Sequence, residues 1–158
     1  MSVTLPPVRR WAALPMFVLA VALVAVAGSL SSASTGSQYI ALAKPTFAPS
    51  PWLFGPVWTI LYCLIAVAGW LAWSARGWTP ALSVYTAQLL LNAAWMPLFF
   101  TADQYGLAFA DICLLWLLIV ANVVLFWPLH RAAALLLLPY LLWVTYAAAL
   151  NLAIWQLN

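Results

Sequence analysis

Apolar residues are gathered into five long segments of the chain, and short polar or proline-rich stretches separate these segments. A helix that crosses a bilayer needs about 20 mainly apolar residues, and each segment reaches that length. The pattern predicts an all-α membrane protein, a bundle of five transmembrane helices that forms a single domain over residues 1–158. The predicted spans are residues 11–30, 54–74, 80–100, 106–127 and 132–155.

The connections between the predicted spans indicate how the helices are arranged. Those that join the last four spans are very short, so consecutive helices must be antiparallel neighbours. The connection between the first two spans is longer. It contains the polar run SSASTGSQY and the proline-rich run KPTFAPSPW.

The first apolar segment has a second interpretation, which is a cleaved signal peptide. Arg9 and Arg10 precede it, and the small residues Ser31, Ser32 and Ala33 follow it, where cleavage could occur. Its apolar stretch of about 20 residues, however, exceeds the 7–15 residues that are usual in a signal peptide. The length favours a retained helix.

The composition supports a lipid environment and excludes a nucleic-acid partner. Hydrophobic residues make up 68% of the chain and charged residues only 4%, whereas a soluble domain averages about 25% charged residues. Five basic and two acidic side chains cannot cover a surface that faces water. The net charge of +3 is scattered, so no basic patch for a nucleic acid is present.

The basic residues predict the orientation of the bundle. Four arginines fall on the N-terminal side of the five spans, whereas Lys44 alone falls on the other side. Loops rich in lysine and arginine stay in the cytoplasm, so we expect a cytoplasmic N-terminus, in a bacterial inner membrane. The four arginines are Arg9, Arg10, Arg76 and Arg131.

Polar and aromatic side chains recur at helical spacing within four of the predicted spans. Residues three, four and seven positions apart lie on the same face of a helix. We therefore expect each of these helices to turn one such face inward. The faces carry Trp58, Tyr62, Gly69 and Trp73 in the second span, Tyr85, Gln88, Asn92, Trp95 and Phe99 in the third, Asp111, Leu118 and Asn122 in the fourth, and Tyr140, Trp143, Ala147 and Asn151 in the fifth.

These faces have two interpretations. Amide side chains commonly join membrane helices by hydrogen bonds, worth about 0.6–2 kcal/mol each, and this is the interpretation we favour for Asn122 alone. Several flat rings on facing helices are also typical of a ligand cavity with a few fixed polar groups. The combined set favours the cavity. Asp111, the one carboxylate within a predicted span, fits a structural role and a functional role equally well.

The sequence contains no pattern for a metal or for common catalytic chemistry. His130 has no second histidine or cysteine at ligand spacing, and Cys63 and Cys113 lie inside apolar runs, where cysteine behaves as a small hydrophobe. No catalytic triad and no phosphate-binding glycine loop is present. We expect no metal and no required cofactor, and an enzymatic role is the weaker expectation.

Three segments carry a resemblance to a known family. They are KPTFAPSPWLFGPVWTILY, AQLLLNAAWMPLFF and LPYLLWVTYAAALNLAIWQLN. Each joins several rare residues at fixed spacing, and together they make the chain resemble the TspO/MBR family of translocator proteins over residues 39–156. The resemblance implies a five-helix bundle, usually a homodimer, whose ligand pocket is covered by the loop between the first two helices.

The resemblance also implies which residues form the pocket and what they bind. The implied ligands are tetrapyrroles such as protoporphyrin IX, as well as benzodiazepine-type drugs. Gln88 and Asp111 join the candidates on the helical spacing described above. The resemblance itself implies Tyr39 and Pro45 in the covering loop, with Trp58, Tyr62, Asn92, Trp95, Trp143, Ala147 and Asn151 on the helices.

The chain departs from the family pattern in two places. Gln38, Tyr39 and Phe47 stand where the covering loop usually carries Trp-Tyr and a later tryptophan, so its contacts can differ. The proposed sterol motif of the last helix needs a tyrosine followed by lysine or arginine, and residues 150–158 contain neither. We therefore do not predict sterol binding from that motif.

Three functions are compatible with these observations. The first is a receptor or sensor that binds tetrapyrroles and has a regulatory or stress role. The second is a transporter of porphyrin or other lipophilic ligands. The third is an enzyme that degrades porphyrin with light and oxygen, in which Trp58 and Trp143 would be the redox-active rings. Binding ranks above transport because the spans carry no coupling pair of ionisable groups and no evident inverted repeat.

Overall fold

The computed structural model describes residues 7–32 and 36–158. Ala33, part of the alternative cleavage site, lies outside these ranges, and so do the side chains of Arg9 and Arg10. Within the described residues, α-helices account for all the long elements. They are α1 (Pro7–Ser32), α2 (Gly36–Ala41), α3 (Phe54–Arg76), α4 (Pro80–Met96), α5 (Tyr105–Phe126), α6 (Arg131–Leu136) and α7 (Leu138–Leu157).

Four stretches of the described chain are long and apolar enough to cross a membrane. They confirm four of the predicted spans within a few residues. The helix α4 has 17 residues and is the fifth candidate, so the full count of five spans stays a prediction. The four stretches are Trp11–Leu30, Pro51–Arg76, Tyr105–Phe126 and Arg131–Leu157.

The helices pack around an interior of apolar side chains. The helix α1 lies against α3 and α4, α4 lies against α5, and α5 lies against α7. The first helix contributes Phe17 and Val21 to this interior, where they are buried with Ile65 of α3. The packing of α1 is in keeping with a retained helix, since a cleaved one would leave these neighbours uncovered.

The helix α4 continues into a wider turn at Pro97–Thr101. Proline has no N–H group to bond the preceding turn, and here the Ala102 N–H bonds the carbonyl of Pro97, five residues earlier, at 2.9 Å. The wider turn shifts the register of the side chains that follow Trp95. Phe99 and Phe100 both lie against the Trp95 ring, with centroid distances of 5.1 and 6.1 Å.

The last predicted span is interrupted near its start. Pro139 lies in the first turn of α7 and cannot donate to the ladder of the preceding turn. The chain therefore breaks at Leu137, whose N–H bonds the carbonyl of Ala134 at 3.2 Å. The residue before α6 is His130, and its Nδ1 accepts a bond from the Ala133 N–H at 3.4 Å. His130 thus has a structural role at the start of α6.

Gly69 allows α3 to approach its neighbours closely. A Cβ atom at this position would lie 2.6 Å from the Tyr85 ring and 2.9 Å from the Phe17 ring. Tyr85 is also fixed, because its hydroxyl donates to the carbonyl of Ile65 at 2.9 Å. Neither ring can move aside without loss of packing or of this bond.

We predict that Gly69→Ala destabilises the protein by about 1–3 kcal/mol, the usual range for overpacking a core. The matched control is Gly55→Ala, because a Cβ at Gly55 meets no atom within 4 Å. Thermal unfolding of both variants in the same detergent checks this. Equal melting temperatures for the two variants would contradict the close packing at Gly69.

Candidate functional site

Aromatic side chains from α3, α4 and α7 meet at one end of the bundle, beneath the connection between α1 and α3. They enclose two small adjoining cavities, which share Phe54, Trp95 and Ala147 and which we call the aromatic chamber. One cavity is lined by Phe54, Trp58, Asn92, Trp95, Ile112, Leu115, Trp143, Val144 and Ala147. The other is lined by Tyr39, Phe54, Trp95, Phe99, Phe100, Ala147, Leu150 and Asn151.

The aromatic chamber is almost filled by its own side chains. Each of its two cavities has a volume of about 10 Å³, which is room for about one water molecule. Pockets that hold drug-sized ligands usually measure about 300–1,000 Å³. The structure therefore shows a closed form of the chamber.

The rings of the chamber touch mainly edge to face. Trp143 meets Phe54 with centroids 6.0 Å apart, and Phe54 meets Tyr39 at 5.5 Å. Trp58 stacks on Tyr62 at 5.2 Å. Edge-to-face and offset stacked pairs are the favoured geometries of aromatic rings, so the closed chamber is well packed.

A chain of buried hydrogen bonds lies directly beside the chamber. The Tyr62 hydroxyl donates to Asn92 Oδ1 at 3.1 Å, and Asn92 Nδ2 donates to the Tyr140 hydroxyl at 2.9 Å. The Tyr140 hydroxyl donates in turn to Gln88 Oε1 at 3.0 Å. The chain joins α3, α4 and α7 and fixes the wall from which Asn92 reaches the chamber.

A second pair of hydrogen bonds fixes the opposite wall. The Trp95 indole N–H donates to Asn151 Oδ1 at 3.0 Å, and Asn151 Nδ2 donates to the carbonyl of Tyr105 at 2.9 Å. Both amides that line the chamber thus have their nitrogen and their oxygen already engaged within the protein. They hold the shape of the chamber more than they offer bonds to a ligand.

Three buried polar atoms in this region have no hydrogen-bond partner among the described residues. They are the indole nitrogen of Trp143, Nε2 of Gln88 and Oδ2 of Asp111. An unpaired buried polar group costs about 1–3 kcal/mol. Of the three residues, Trp143 lines the chamber. Its N–H group is a donor that remains available to a ligand.

The connection that covers the chamber, residues 39–53, is held together by Lys44; we call this segment the cap. Lys44 Nζ donates to the carbonyls of Tyr39, Ile40 and Leu42 at 2.7, 2.8 and 3.0 Å. An ammonium group has three donors, so these bonds use all of them. Lys44 also lies 5.1 Å from the centroid of the Tyr39 ring.

Tyr39 forms the part of the cap that reaches the chamber. Its side chain is buried, and its hydroxyl donates to the carbonyl of Pro49 at 3.3 Å. Burial, together with the nearby Tyr146, raises the pKa of Tyr39 to about 12. The phenol therefore keeps its proton at physiological pH and remains a donor.

The structure brings most of the predicted site residues together. Tyr62 and Gln88 belong to the hydrogen-bond chain beside the chamber, whereas Pro45 and Asp111 do not line it. Pro45 accepts a bond from the Ala48 N–H in a turn of the cap at 3.0 Å. The predicted residues that line the chamber are Tyr39, Trp58, Asn92, Trp95, Trp143, Ala147 and Asn151.

The inward face of α5 contains Asn122, one of the two polar residues predicted for it. Its buried residues are mainly apolar and include Ala108, Ile112, Leu115 and Ile119, so Asp111 lies at the flank of this face and is only half-buried. Helical spacing placed Asp111 and Asn122 on one face, but it did not show how far each of them turns inward. Asn122 is buried and bonds the carbonyl of Ala81 at 2.9 Å, as expected for an amide that joins helices.

Sequence reasoning missed several apolar walls of the chamber. Phe54, Ile112, Leu115, Val144 and Leu150 carry no polar atom that would mark them. Phe100 enters the chamber because of the wider turn at Pro97–Thr101, and only the proline within an apolar segment signalled that turn.

A larger groove lies on the outer surface between α5 and α7, with a volume of about 390 Å³. Its polar groups are already paired: Trp116 Nε1 donates to Thr145 Oγ1, and Thr145 donates to the carbonyl of Leu141, both at 2.8 Å. Its residues Leu117 and Thr145 are exposed on the apolar surface of the bundle. Such a groove suits lipid, so we place the candidate site in the aromatic chamber.

Within the part of the chain that the structure describes, no three histidine, cysteine, aspartate or glutamate residues lie together as metal ligands would. The chemistry of the chamber is that of flat rings, fixed amides and the unpaired indole N–H of Trp143. Such an arrangement can bind a planar, largely apolar molecule that carries a hydrogen-bond acceptor.

We predict that Tyr140→Phe lowers the free energy of unfolding by about 1–3 kcal/mol, because it leaves Asn92 Nδ2 and Gln88 Oε1 unpaired in the interior. Thr86→Val is the control, since the Thr86 hydroxyl bonds only the carbonyl of Leu82 within its own helix in this structure. Denaturation of both variants in detergent measures the difference. A Tyr140→Phe protein as stable as the control would argue against the hydrogen-bond chain.

Comparison with known proteins agrees with this architecture. Residues 16–156 match the TspO/MBR family. The chain is 40% identical over 144 residues to the tryptophan-rich protein TspO of Archaeoglobus fulgidus, covering 89% of this chain and 94% of that protein. It is 36% identical over 154 residues to the human translocator protein, covering 94% and 91%.

A third relative is the tryptophan-rich sensory protein of Cereibacter sphaeroides, 34% identical over 148 residues that cover 94% of this chain and 92% of that protein. The match to the family extends over most of the chain, and the apolar helices are long enough to span a bilayer. The chain is therefore an integral membrane protein and belongs to the TspO/MBR family.

Proposed function

We propose that this protein is a membrane receptor that binds a tetrapyrrole, such as protoporphyrin IX, in the aromatic chamber. The observation that carries the proposal is the Trp143 indole N–H, which is buried beside aromatic rings and has no partner among the described residues. A polar group left unpaired in an apolar cavity is stabilised when a ligand brings an acceptor. The broad faces of Trp58, Trp95 and Trp143 suit a flat macrocycle.

The same chamber suits benzodiazepine-type drugs, which also carry aromatic rings and hydrogen-bond acceptors. Either class needs more space than the closed chamber offers, since each of its cavities measures about 10 Å³. Binding therefore requires the cap or the ring side chains to move. We propose a regulatory or stress role, in which the occupied and the closed forms are the two states.

Transport and degradation are the alternative functions. The names of two relatives, a translocator protein and a sensory protein, point to different functions of those proteins. Degradation is favoured by one observation, which is that Trp58 and Trp143 line the same cavity, where both would lie against a bound porphyrin. The absorbance of bound protoporphyrin IX under illumination with oxygen separates degradation from passive binding. Counterflow in sealed vesicles detects transport.

We predict that Trp143→Phe raises the Kd for protoporphyrin IX by roughly 5- to 150-fold, which corresponds to the loss of about 1–3 kcal/mol from one buried hydrogen bond and part of a ring. Trp78→Phe is the control, because it makes the same change at an exposed ring. Titration and melting temperature are measured on the same preparations. A fall in stability with unchanged affinity would show that Trp143 only packs the helices.

We propose that the segment Pro80–Thr101 also crosses the bilayer, which makes a bundle of five transmembrane helices with a cytoplasmic N-terminus. The extra span is supported by the packing of α4 against α1 and α5 along the bundle. The orientation rests on the position of the arginines. A cysteine placed near Ser2 in intact cells tests it, because labelling from the outside would reverse the orientation.

We propose that the protein forms a homodimer through the lipid-facing side of α4. Ala87, Leu90 and Ala94 lie away from the buried Gln88 and Asn92, and Leu90 is 66% exposed. Small residues let helices approach closely within a membrane. We expect a dimer mass in nanodiscs and a shift toward monomer in Ala87→Trp, whereas a wild-type monomer would contradict the proposal.

A further inference from the structure

The aromatic chamber is kept closed by the cap that covers it. Its upper wall is the cap, from which Tyr39 reaches the chamber and contacts Phe54. The three bonds of Lys44 and the bond from Tyr39 to Pro49 lie within the cap itself. These bonds make the cap a single unit, and they do not attach it to the helices.

Tyr146 of α7 and Asn158, which directly follows α7, attach the cap to the bundle. The Tyr146 hydroxyl donates to the carbonyl of Phe47 at 2.8 Å, and the two rings meet edge to face at 6.3 Å. The Asn158 side chain makes two hydrogen bonds to the backbone of Ala43. Its Oδ1 accepts from the Ala43 N–H and its Nδ2 donates to the Ala43 carbonyl, each at 3.1 Å. The hydrogen-bond partners in the cap are all backbone atoms.

These attachments differ from the hydrogen bonds beside the chamber in their surroundings. The bonds made by Tyr146 and Asn158 are exposed, whereas those of Asn92, Tyr140 and Gln88 are buried. Water can replace an exposed bond between uncharged groups at little net loss of free energy. The attachments of the cap are therefore the contacts that open first.

We infer that Tyr146 and Asn158 form a latch, which holds the cap closed and whose release controls access to the aromatic chamber. The inference rests on the proposed function for its ligand. It concerns the rate of entry and exit, and it makes Tyr146 and Asn158 positioning residues that act through the cap. Neither side chain lines the chamber.

The first test needs no ligand. Ala147→Cys places a thiol in the wall of the chamber, in a background with Cys63→Ser and Cys113→Ser. The rate at which a small thiol reagent modifies this position measures access. We expect Tyr146→Phe and Asn158→Ala each to accelerate modification at least threefold. We also expect Asn158→Ala to accelerate hydrogen exchange at the Ala43 amide.

Matched controls separate the latch from general loosening. Gln156→Ala truncates an exposed amide near the same end of α7, and Thr86→Val removes a hydroxyl that bonds the carbonyl of Leu82 far from the cap. Both should leave the modification rate unchanged. Melting temperatures within error of the parent protein show that the bundle itself is intact.

A cross-link tests the inference in the opposite direction. Ala43→Cys with Asn158→Cys replaces the amide contact by a disulfide, again in the background without the native cysteines. Access to the chamber is measured here as quenching of tryptophan fluorescence by acrylamide. We expect oxidation to slow this quenching and reduction to restore it. This variant keeps the inference testable if the latch variants fold poorly.

The second test uses protoporphyrin IX in stopped flow. We expect association and dissociation rates both to rise at least threefold in Tyr146→Phe and Asn158→Ala, while the Kd changes less than either rate. Rates and chamber access that are unchanged in the latch variants and in the cross-linked protein would overturn the latch. Faster thiol modification with no porphyrin binding by any protein supports the latch and contradicts the tetrapyrrole proposal.

Discussion

The bilayer interior offers no water to polar groups, so polar side chains there must bond one another. The hydrogen-bond chain through Tyr140 meets this requirement. Tyr62, Asn92, Tyr140 and Gln88 bring polar atoms from three helices into one connected set. Because Tyr140 both accepts and donates within it, no single helix can rotate without breaking a bond. The walls of the aromatic chamber inherit their positions from this set.

The polar groups of the chamber are of two kinds, those bonded within the protein and those without a partner in the described chain. The amides of Asn92 and Asn151 are engaged within the protein and set the geometry of the rings around them. The indole N–H of Trp143 lies in the same region without a partner among the described residues. A fixed frame with an available donor would give a ligand a direction of approach as well as an apolar surface.

Much of this fold could be predicted from the sequence, since the length and apolar composition of each long segment indicate a membrane helix. The spacing of Trp95 from Asn92, and of Asn151 from Ala147, placed these residues on inward faces. Asp111 shows the limit of that reasoning, because helical spacing defines a face but does not say which face turns inward. Only the packing of Ile112 and Leu115 against the other helices decides that.

Other features depend on contacts between distant parts of the chain. The pairing of Asn158 with Ala43 joins positions 115 residues apart, and the sequence near these residues does not predict this contact. The break at Leu137 and the wider turn after Met96 follow from prolines, whose presence is evident but whose geometric outcome depends on neighbouring helices. Phe100 reaches the chamber through that outcome.

The arrangement around Lys44 has a consequence for charge recognition. An ammonium group whose three protons already face carbonyl oxygens has none left for a carboxylate, and the residues that line the chamber carry no cation. Arg76 lies at the end of α3 that is away from the chamber, and Arg131 lies at the end of the last span that is away from it. A ligand with an acidic group would therefore find no counter-ion among the residues that line the described chamber, and that group would be better placed in the water outside.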